Sequence, residues 1–208
     1  VVCRRQRQMC IRDRLYCNVL QGMIYSHEHQ DKREENTKLF HQMAQKAVDT
    51  DPENPDAMSS LSMSYSIKKD LNKRLETAEK ALELNPSHPR SNFSYGQALT
   101  NFGRNEEALS YVNKAIEMDP QSKKNYEGFF PLLYIALKDW ENAITWLNTA
   151  HERSPHSRYF GWKAAVYGKM NDLESAKENL NSFLKERPEI KTLEAVSYTH
   201  LTLPTTYH

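Results

Sequence analysis

Proline recurs through the chain at a nearly constant interval, and this period constrains the fold more than any other feature of the sequence. The intervals are 34, 34, 35 and 33 residues, between Pro52, Pro86, Pro120, Pro155 and Pro188. An alanine stands five residues before each of the first three prolines, within a stretch typical of a helix. Self-similarity at this spacing indicates an array of helix–turn–helix units that bury their apolar faces against one another. The period therefore predicts an all-α chain.

Residues 89–122 show the pattern of one unit most clearly. Apolar and small residues recur at helical spacing over 89–102, and Gly103 then interrupts the pattern as a turn. Asn105 is a predicted N-cap for a second helix over 106–118, which must end before the next proline. The equivalent turns of other units offer aspartate caps at Asp70, Asp139 and Asp172.

These residues resemble the tetratricopeptide repeat (TPR) pattern. Within 89–122 the matching residues are Tyr95, Gly96, Leu99, Ala108, Val112, Ala115 and Pro120. The neighbouring units match through Leu61, Tyr65, Ala78, Ala81, Tyr134, Trp140, Ala143, Leu147, Ala150, Tyr167, Ala176 and Leu180, whereas Arg74 stands where a small alanine is usual. The resemblance implies a right-handed solenoid of about four to five helix–turn–helix repeats. The implied units are about 15–54, 55–88, 89–122, 123–156 and 157–190, the first being degenerate with its first helix at 15–25.

The two ends of the chain mirror each other through the genetic code. Each residue of 1–13 can be encoded on the strand opposite to its partner in 196–208; Met9, for example, has the codon ATG, whose reverse complement encodes His200. Both segments resemble a translated sequencing adapter. We therefore expect 1–13 and 196–208 to be adapter-derived and unstructured, and the TPR domain to occupy 14–195, as a fragment of a longer protein.

Charge and cysteine content narrow the function classes. Residues 1–13 hold four of the 28 basic and one of the 27 acidic residues, so the rest of the chain carries a formal charge of −2. This balance gives no bulk attraction to nucleic acid or to anionic lipid. Cys17 alone lies in 14–195, which suits a reducing, cytoplasmic compartment. Nucleic acid and membrane are thus not expected partners.

The resemblance places the function on a concave groove lined by the first helices. The predicted partner-binding residues are Met63, Arg90, Phe93, Gln97, Asn101, Leu132, Ile135 and Arg158. Such a surface suits a peptide, with Phe93 and Ile135 as anchors and Arg90 or Arg158 pairing with a carboxylate. The alternative, that these residues pack against an adjoining domain of the same chain, stays open. The Lys/Asn clamp of TPR co-chaperones is absent, since Ser59 and Met63 occupy its places.

Other candidate sites in the sequence are weak. The pair His27 and His29 has metal-ligand spacing but no third ligand, so no metal or other cofactor is expected. Asn92 opens an N-glycosylation sequon inside a predicted helix, where we expect no sugar. Of the three tryptophans, Trp140 stands on a packing position, which favours the core over an aromatic box. No nucleophile–base pattern or phosphate-binding loop occurs, so catalysis by this chain is not expected.

The sequence therefore predicts a non-catalytic protein–protein interaction module. Residues 171–176 and 183–189 also resemble the C-terminal TPR regions of bacterial class III adenylate/guanylate cyclases and of winged-helix transcriptional regulators. That resemblance implies the regulatory part of a bacterial signalling protein. The alternative is a free-standing scaffold or assembly factor that binds a peptide in its groove.

Overall fold

The structure, a computed structural model, describes residues 32–188, and all regular secondary structure in that range is helical. The helices are α1 (Arg33–Thr50), α2 (Pro55–Ile67), α3 (Leu71–Leu84), α4 (Pro89–Leu99), α5 (Asn105–Met118), α6 (Lys123–Tyr126), α7 (Phe130–Leu137), α8 (Trp140–Arg153), α9 (Ser157–Lys169) and α10 (Leu173–Glu186). Helices α2, α4, α6 and α9 begin at intervals of 34 residues. The predicted all-α repeat fold is confirmed. The predictions for 1–13, 15–25, His27, His29 and 196–208 lie outside the described residues.

The turns inside the repeats share one backbone geometry. The first helix of each pair is followed within four residues by a residue with positive φ, between 60° and 71°: Lys69, Gly103, Lys138 and Asn171. In three of these turns the next residue is an aspartate whose side chain accepts the backbone N–H three residues on: Asp70, Asp139 and Asp172. These three predicted caps are confirmed.

The turn at Gly103 differs from the other three, and the prediction of Asn105 as an N-cap was wrong. Helix α5 begins at Asn105, and its first backbone hydrogen bond runs from Ala108 N to Arg104 O at 2.9 Å. The Asn105 side chain instead donates from Nδ2 to Ala136 O at 3.3 Å. The amide therefore ties two helices together and does not cap its own.

The first helix of the unit beginning at residue 123 is broken. A 3₁₀ turn, Glu127–Phe129, separates α6 from α7. Pro131 has no N–H for the carbonyl of residue 127, and Gly128 adds backbone freedom, so a continuous helix is disfavoured there. The buried Glu127 carboxylate pairs with Arg153 at the end of α8, which fixes the turn.

Residues 32–101 and 110–119 form the first of two compact units. In unit 1, α2 packs against α1, α3 and α4, and α3 also packs against α4. Its core cluster joins α1 to α2 through Phe40, Ala44, Ala47, Val48, Ala57 and Leu61. Ala78 and Ala81, two alanines of the repeat pattern, are fully buried on α3, and their small side chains allow neighbouring helices to pack closely.

Residues 102–109 and 120–188 form the second unit. In unit 2, α8 packs against α7 and α9, and α9 packs against α10. Its core cluster consists of Ala143, Leu147, Ala150, Tyr159 and Val166. The Phe183 ring of α10 packs beside Gly161 of α9, where an added Cβ would meet it at 3.4 Å, an ordinary contact distance.

Candidate functional site

One side of α4 carries three of the predicted partner-binding residues of unit 1. Arg90, Phe93 and Gln97 follow one another at three- to four-residue spacing, and each is half-buried. Gln97 Oε1 is buried and accepts no hydrogen bond from any described residue. A buried oxygen in that state costs about 1–3 kcal/mol. This face therefore holds an acceptor to which the described residues supply no donor.

Arg90 is held by groups from the preceding repeat. Its Nη2 donates to Ser60 Oγ on α2 at 3.1 Å, and its Nε lies 3.9 Å from Asp56 Oδ1. His88 Nε2 lies 3.8 Å from the same carboxylate oxygen. A ligand carboxylate at Arg90 would therefore compete with Asp56, whose location beside Arg90 the sequence did not reveal.

Asn101 has an intramolecular partner. Its Oδ1 accepts a hydrogen bond from Nη1 of Arg74 at 2.6 Å, and the Arg74 side chain is buried. The departure from alanine at position 74 was the visible sequence signal for this contact. Asn101 thus stabilises a buried guanidinium, and its oxygen is engaged within unit 1.

Two further residues of α2 serve packing. Met63 is half-buried and packs against the core cluster of unit 1. Ser59 is buried, and its hydroxyl donates to Pro55 O at 2.7 Å. Their side chains therefore contribute mainly to the helix contacts of this unit.

Unit 2 holds the remaining predicted residues on α7 and α9. Leu132 and Ile135 are half-buried on α7, and Ile135 packs against the core cluster of this unit. Arg158, near the start of α9, places its Cζ 5.0 Å from the ring centroid of Tyr159 and 5.9 Å from that of Trp162. Trp162 packs against the same cluster as Ile135. Ile135 on α7 and Trp162 on α9 thus pack against the same core cluster.

The tryptophans have separate partners. Trp140 packs against the unit 2 core, as predicted. Trp146 stacks on Phe130 at a centroid distance of 4.4 Å, and Trp162 meets Tyr159 edge-on at 5.9 Å. Each ring therefore belongs to its own packing contact.

Comparison with known proteins decides the family. Two tetratricopeptide repeat family models match the chain, one over residues 55–88 and one over residues 75–123. The chain is a TPR protein. No curated protein matches its sequence significantly.

Solved TPR structures share the fold. YrrB, a TPR protein with an unusual peptide-binding site, has 18% identity and a TM-score of 0.56, over 88% of this chain and 89% of its own. PilW, a type IV pilus biogenesis factor, has 18% identity and a TM-score of 0.65, over 86% and 81% of the two chains. A TPR protein of Thermus thermophilus has 18% identity and a TM-score of 0.58, over 82% and 92%. The chain accordingly has the all-α TPR repeat fold, which is that of a protein-interaction module.

In this TPR protein a Ser–His contact, which sequence reasoning missed, joins α1 to α2. His41 Nδ1 lies 2.8 Å from Ser64 Oγ, and the Ser64 hydroxyl donates to Leu61 O at 2.7 Å. The single hydroxyl proton is thus used, so His41 donates and does not act as a base toward Ser64. Burial, followed by the charges of Lys68 and Lys73, lowers the pKa of His41. With Ser64 only 1% exposed, the pair joins α1 to α2 and does not form a nucleophile site.

The sequon asparagine is fully buried in this TPR fold. Asn92 Nδ2 donates to Pro86 O at 2.9 Å and to His88 O at 3.0 Å, at the start of α4. Its side chain therefore closes the preceding loop onto the helix and is inaccessible in the folded protein.

Within residues 32–188, no three His, Cys, Asp or Glu side chains come together as a metal-binding group. The same range contains no helix with the length and apolar character needed to cross a bilayer.

Proposed function

We propose that this TPR protein is a non-catalytic module that binds a peptide segment on the first-helix face of unit 1. The observation that carries the proposal is the buried, unsatisfied Gln97 Oε1, one helical turn from half-buried Phe93 on α4. An extended peptide supplies backbone N–H donors, and an apolar side chain of that peptide would pack on Phe93. YrrB, which is similar in fold, has a peptide-binding site.

The test is a peptide selection followed by affinity measurement. A displayed random-peptide library is selected on the full chain, and the winning peptides are synthesised and titrated against variants. Phe93→Ala is expected to weaken binding by about thirtyfold, as at a contact hot spot, and Gln97→Leu by about tenfold through a lost hydrogen bond.

Phe102→Ala is the matched control, because Phe102 is 43% exposed and lies beyond the end of α4. Circular dichroism tests whether all three variants fold. Equal affinities for Phe93→Ala and Phe102→Ala would contradict binding at this face.

A second candidate function is the regulatory TPR region of a bacterial signalling protein, located in the cytoplasm. It is favoured by the apolar surface on α10 and the turn before it, where four large side chains are exposed: Met170, Leu173, Leu180 and Leu184. A further domain of the same protein would cover such a surface. Long-read sequencing of the gene tests this proposal. An upstream cyclase or winged-helix domain would support it, and a start codon close to Leu15 with no preceding domain would contradict it.

A further inference from the structure

The Arg158 side chain has N–H donors that the described residues do not satisfy. Its guanidinium lies over the Tyr159 ring, and Nη2 donates to the Tyr159 hydroxyl at a long 3.3 Å. Its Nε is buried without a hydrogen-bond partner in the described range. Its backbone N–H is already used, since it donates to His156 Nδ1 at 3.1 Å. The side chain therefore retains unused donors.

Three other arginines of the described range differ from Arg158 because each pairs with a carboxylate: Arg90 with Asp56, Arg104 with Glu107, and Arg153 with Glu127. Among residues 32–188, no Asp or Glu forms an ion pair with Arg158. A partly buried guanidinium gains most from a carboxylate, which accepts two parallel N–H groups.

The charges on helix α9 favour the binding of a negatively charged group near Arg158. Helix α9 contains three cationic residues and no acidic residue. Helical spacing places Arg158, Trp162 and Lys169 on one side, with the exposed Ala165 between them. We name these four residues the α9 stripe. Its charge complements an acidic ligand, and its tryptophan offers apolar contact area.

From this environment we infer that the α9 stripe is a docking site for a glutamate side chain of a peptide partner. The glutamate carboxylate pairs with Arg158, and its methylene groups pack beside Trp162. The methylene groups of a glutamate side chain let its carboxylate reach the half-buried guanidinium while the peptide backbone stays outside. A C-terminal carboxylate is attached directly to the backbone, which would have to enter the site as well.

The aromatic geometry favours a peptide over single-stranded nucleic acid. Base stacking needs open ring faces. Here the Arg158 guanidinium lies over Tyr159 and near Trp162, and the two rings meet edge-on. The inference rests on the proposed function in that it takes the chain to be a peptide binder, but it concerns unit 2.

The experiment uses the full chain and two displayed random-peptide libraries. One library is fused to its carrier at the peptide C-terminus and so presents acidic groups only on side chains; the other presents free C-termini. The expected result is enrichment of glutamate in the fused library on wild type, and loss of that enrichment on Arg158→Gln. Replacing the selected glutamate by glutamine in the synthetic peptide should weaken binding by about tenfold, as expected for a charge-assisted pair.

Three controls make the outcome decisive. Arg104→Gln removes an arginine that pairs with Glu107, and should leave the selected peptides bound. Arg158→Lys keeps the charge but lacks the planar fork, so about a fivefold loss is expected, and this variant serves if Arg158→Gln does not fold. A labelled oligothymidine tests the nucleic-acid alternative.

Each other result overturns the inference. These results are acid-independent peptides, enrichment only with free C-termini, or oligothymidine binding that depends on Arg158. Peptides that depend on Phe93 but not on Arg158 contradict the inference while supporting the proposed function. Peptides that depend on Arg158 but not on Phe93 support the inference and contradict the proposed function. Libraries that yield no binder contradict both.

Discussion

Four residues repeat the same left-handed backbone conformation, yet Gly103 alone among them is glycine. For L-residues this conformation costs about 1–2 kcal/mol. At Lys69, Lys138 and Asn171 the following aspartate cap offsets that cost, because it anchors the second helix. Arg104 offers no such cap, so its turn depends more heavily on the preceding glycine.

Gly103→Ala is expected to lower the free energy of unfolding by about 1 kcal/mol, since the added strain exceeds the entropy removed from the unfolded chain. Nothing lies within 4 Å of a Cβ built at Gly103, so the loss would come from the backbone alone. Chemical denaturation measures it. Gly128→Ala is the matched control, because its Cβ also meets nothing within 4 Å and its φ is not positive. A loss of similar size at both glycines would contradict the backbone explanation.

The candidate residues show what a sequence pattern omits at this scale. Helical spacing correctly predicted that Arg90, Phe93 and Gln97 share one side of a helix. It did not predict that Asn101 accepts a hydrogen bond from Arg74, because that partner stands 27 residues earlier, in the preceding repeat. Periodicity fixes the face on which a residue lies, whereas its hydrogen-bond partner depends on how neighbouring repeats meet.

At the scale of helices, three second helices, α3, α8 and α10, start where an aspartate side chain accepts a free N–H group. Asp139 Oδ1 accepts from Asn142 N at 3.2 Å, and its Oδ2 accepts from Asn142 Nδ2 at 2.7 Å. Arg104, at the equivalent position before α5, forms a surface ion pair with Glu107, and its guanidinium has no acceptor atom with which to cap the helix. The repeat thus contains both a capped and an uncapped version of one turn.

Exchanging these two versions gives paired predictions. Asp139→Ala should lower the free energy of unfolding by about 1 kcal/mol, the usual cost of a lost N-cap. Arg104→Asp should raise it by somewhat less than 1 kcal/mol, because the new cap outweighs a surface ion pair. Thermal unfolding followed by circular dichroism measures both. A destabilised Arg104→Asp variant would show that the Glu107 pair matters more than the missing cap.

Helix existence was predictable because the apolar period and the prolines act locally. The break between α6 and α7 was also encoded locally, by Gly128 and Pro131, yet the repeat pattern alone suggested one continuous first helix. The reassignment of Asn105 was not encoded locally, since its partner Ala136 lies in a later helix.

For the molecule as a whole, histidines link stability to pH. Burial is the main cause of the lowered pKa of His41 in unit 1 and of His151 in unit 2; nearby lysine charges act in the same direction. The folded chain therefore takes up these protons less readily than the unfolded chain.

The free energy of unfolding should therefore be greatest above about pH 7 and fall as the pH drops below about 6.5, where unfolded histidines become charged. Urea midpoints at about pH 7.5 and about pH 5.5 test this, because carboxylates stay ionised across most of that range. His151→Gln removes one of the two titrating rings and should show a smaller loss. A midpoint that does not change between the two pH values would contradict the role of the histidines.

Because Asn92 is buried in the folded protein, the extent of glycosylation at its sequon would depend on how fast the chain folds. In a host that glycosylates secreted chains, the transferase could modify Asn92 only before α4 closes over it. The fraction of secreted chains that carry a sugar at this position would then compare the folding rate with the rate of modification. Once attached, the glycan would leave no room for the hydrogen bonds to Pro86 and His88, so glycosylated chains would be trapped in an incompletely folded state.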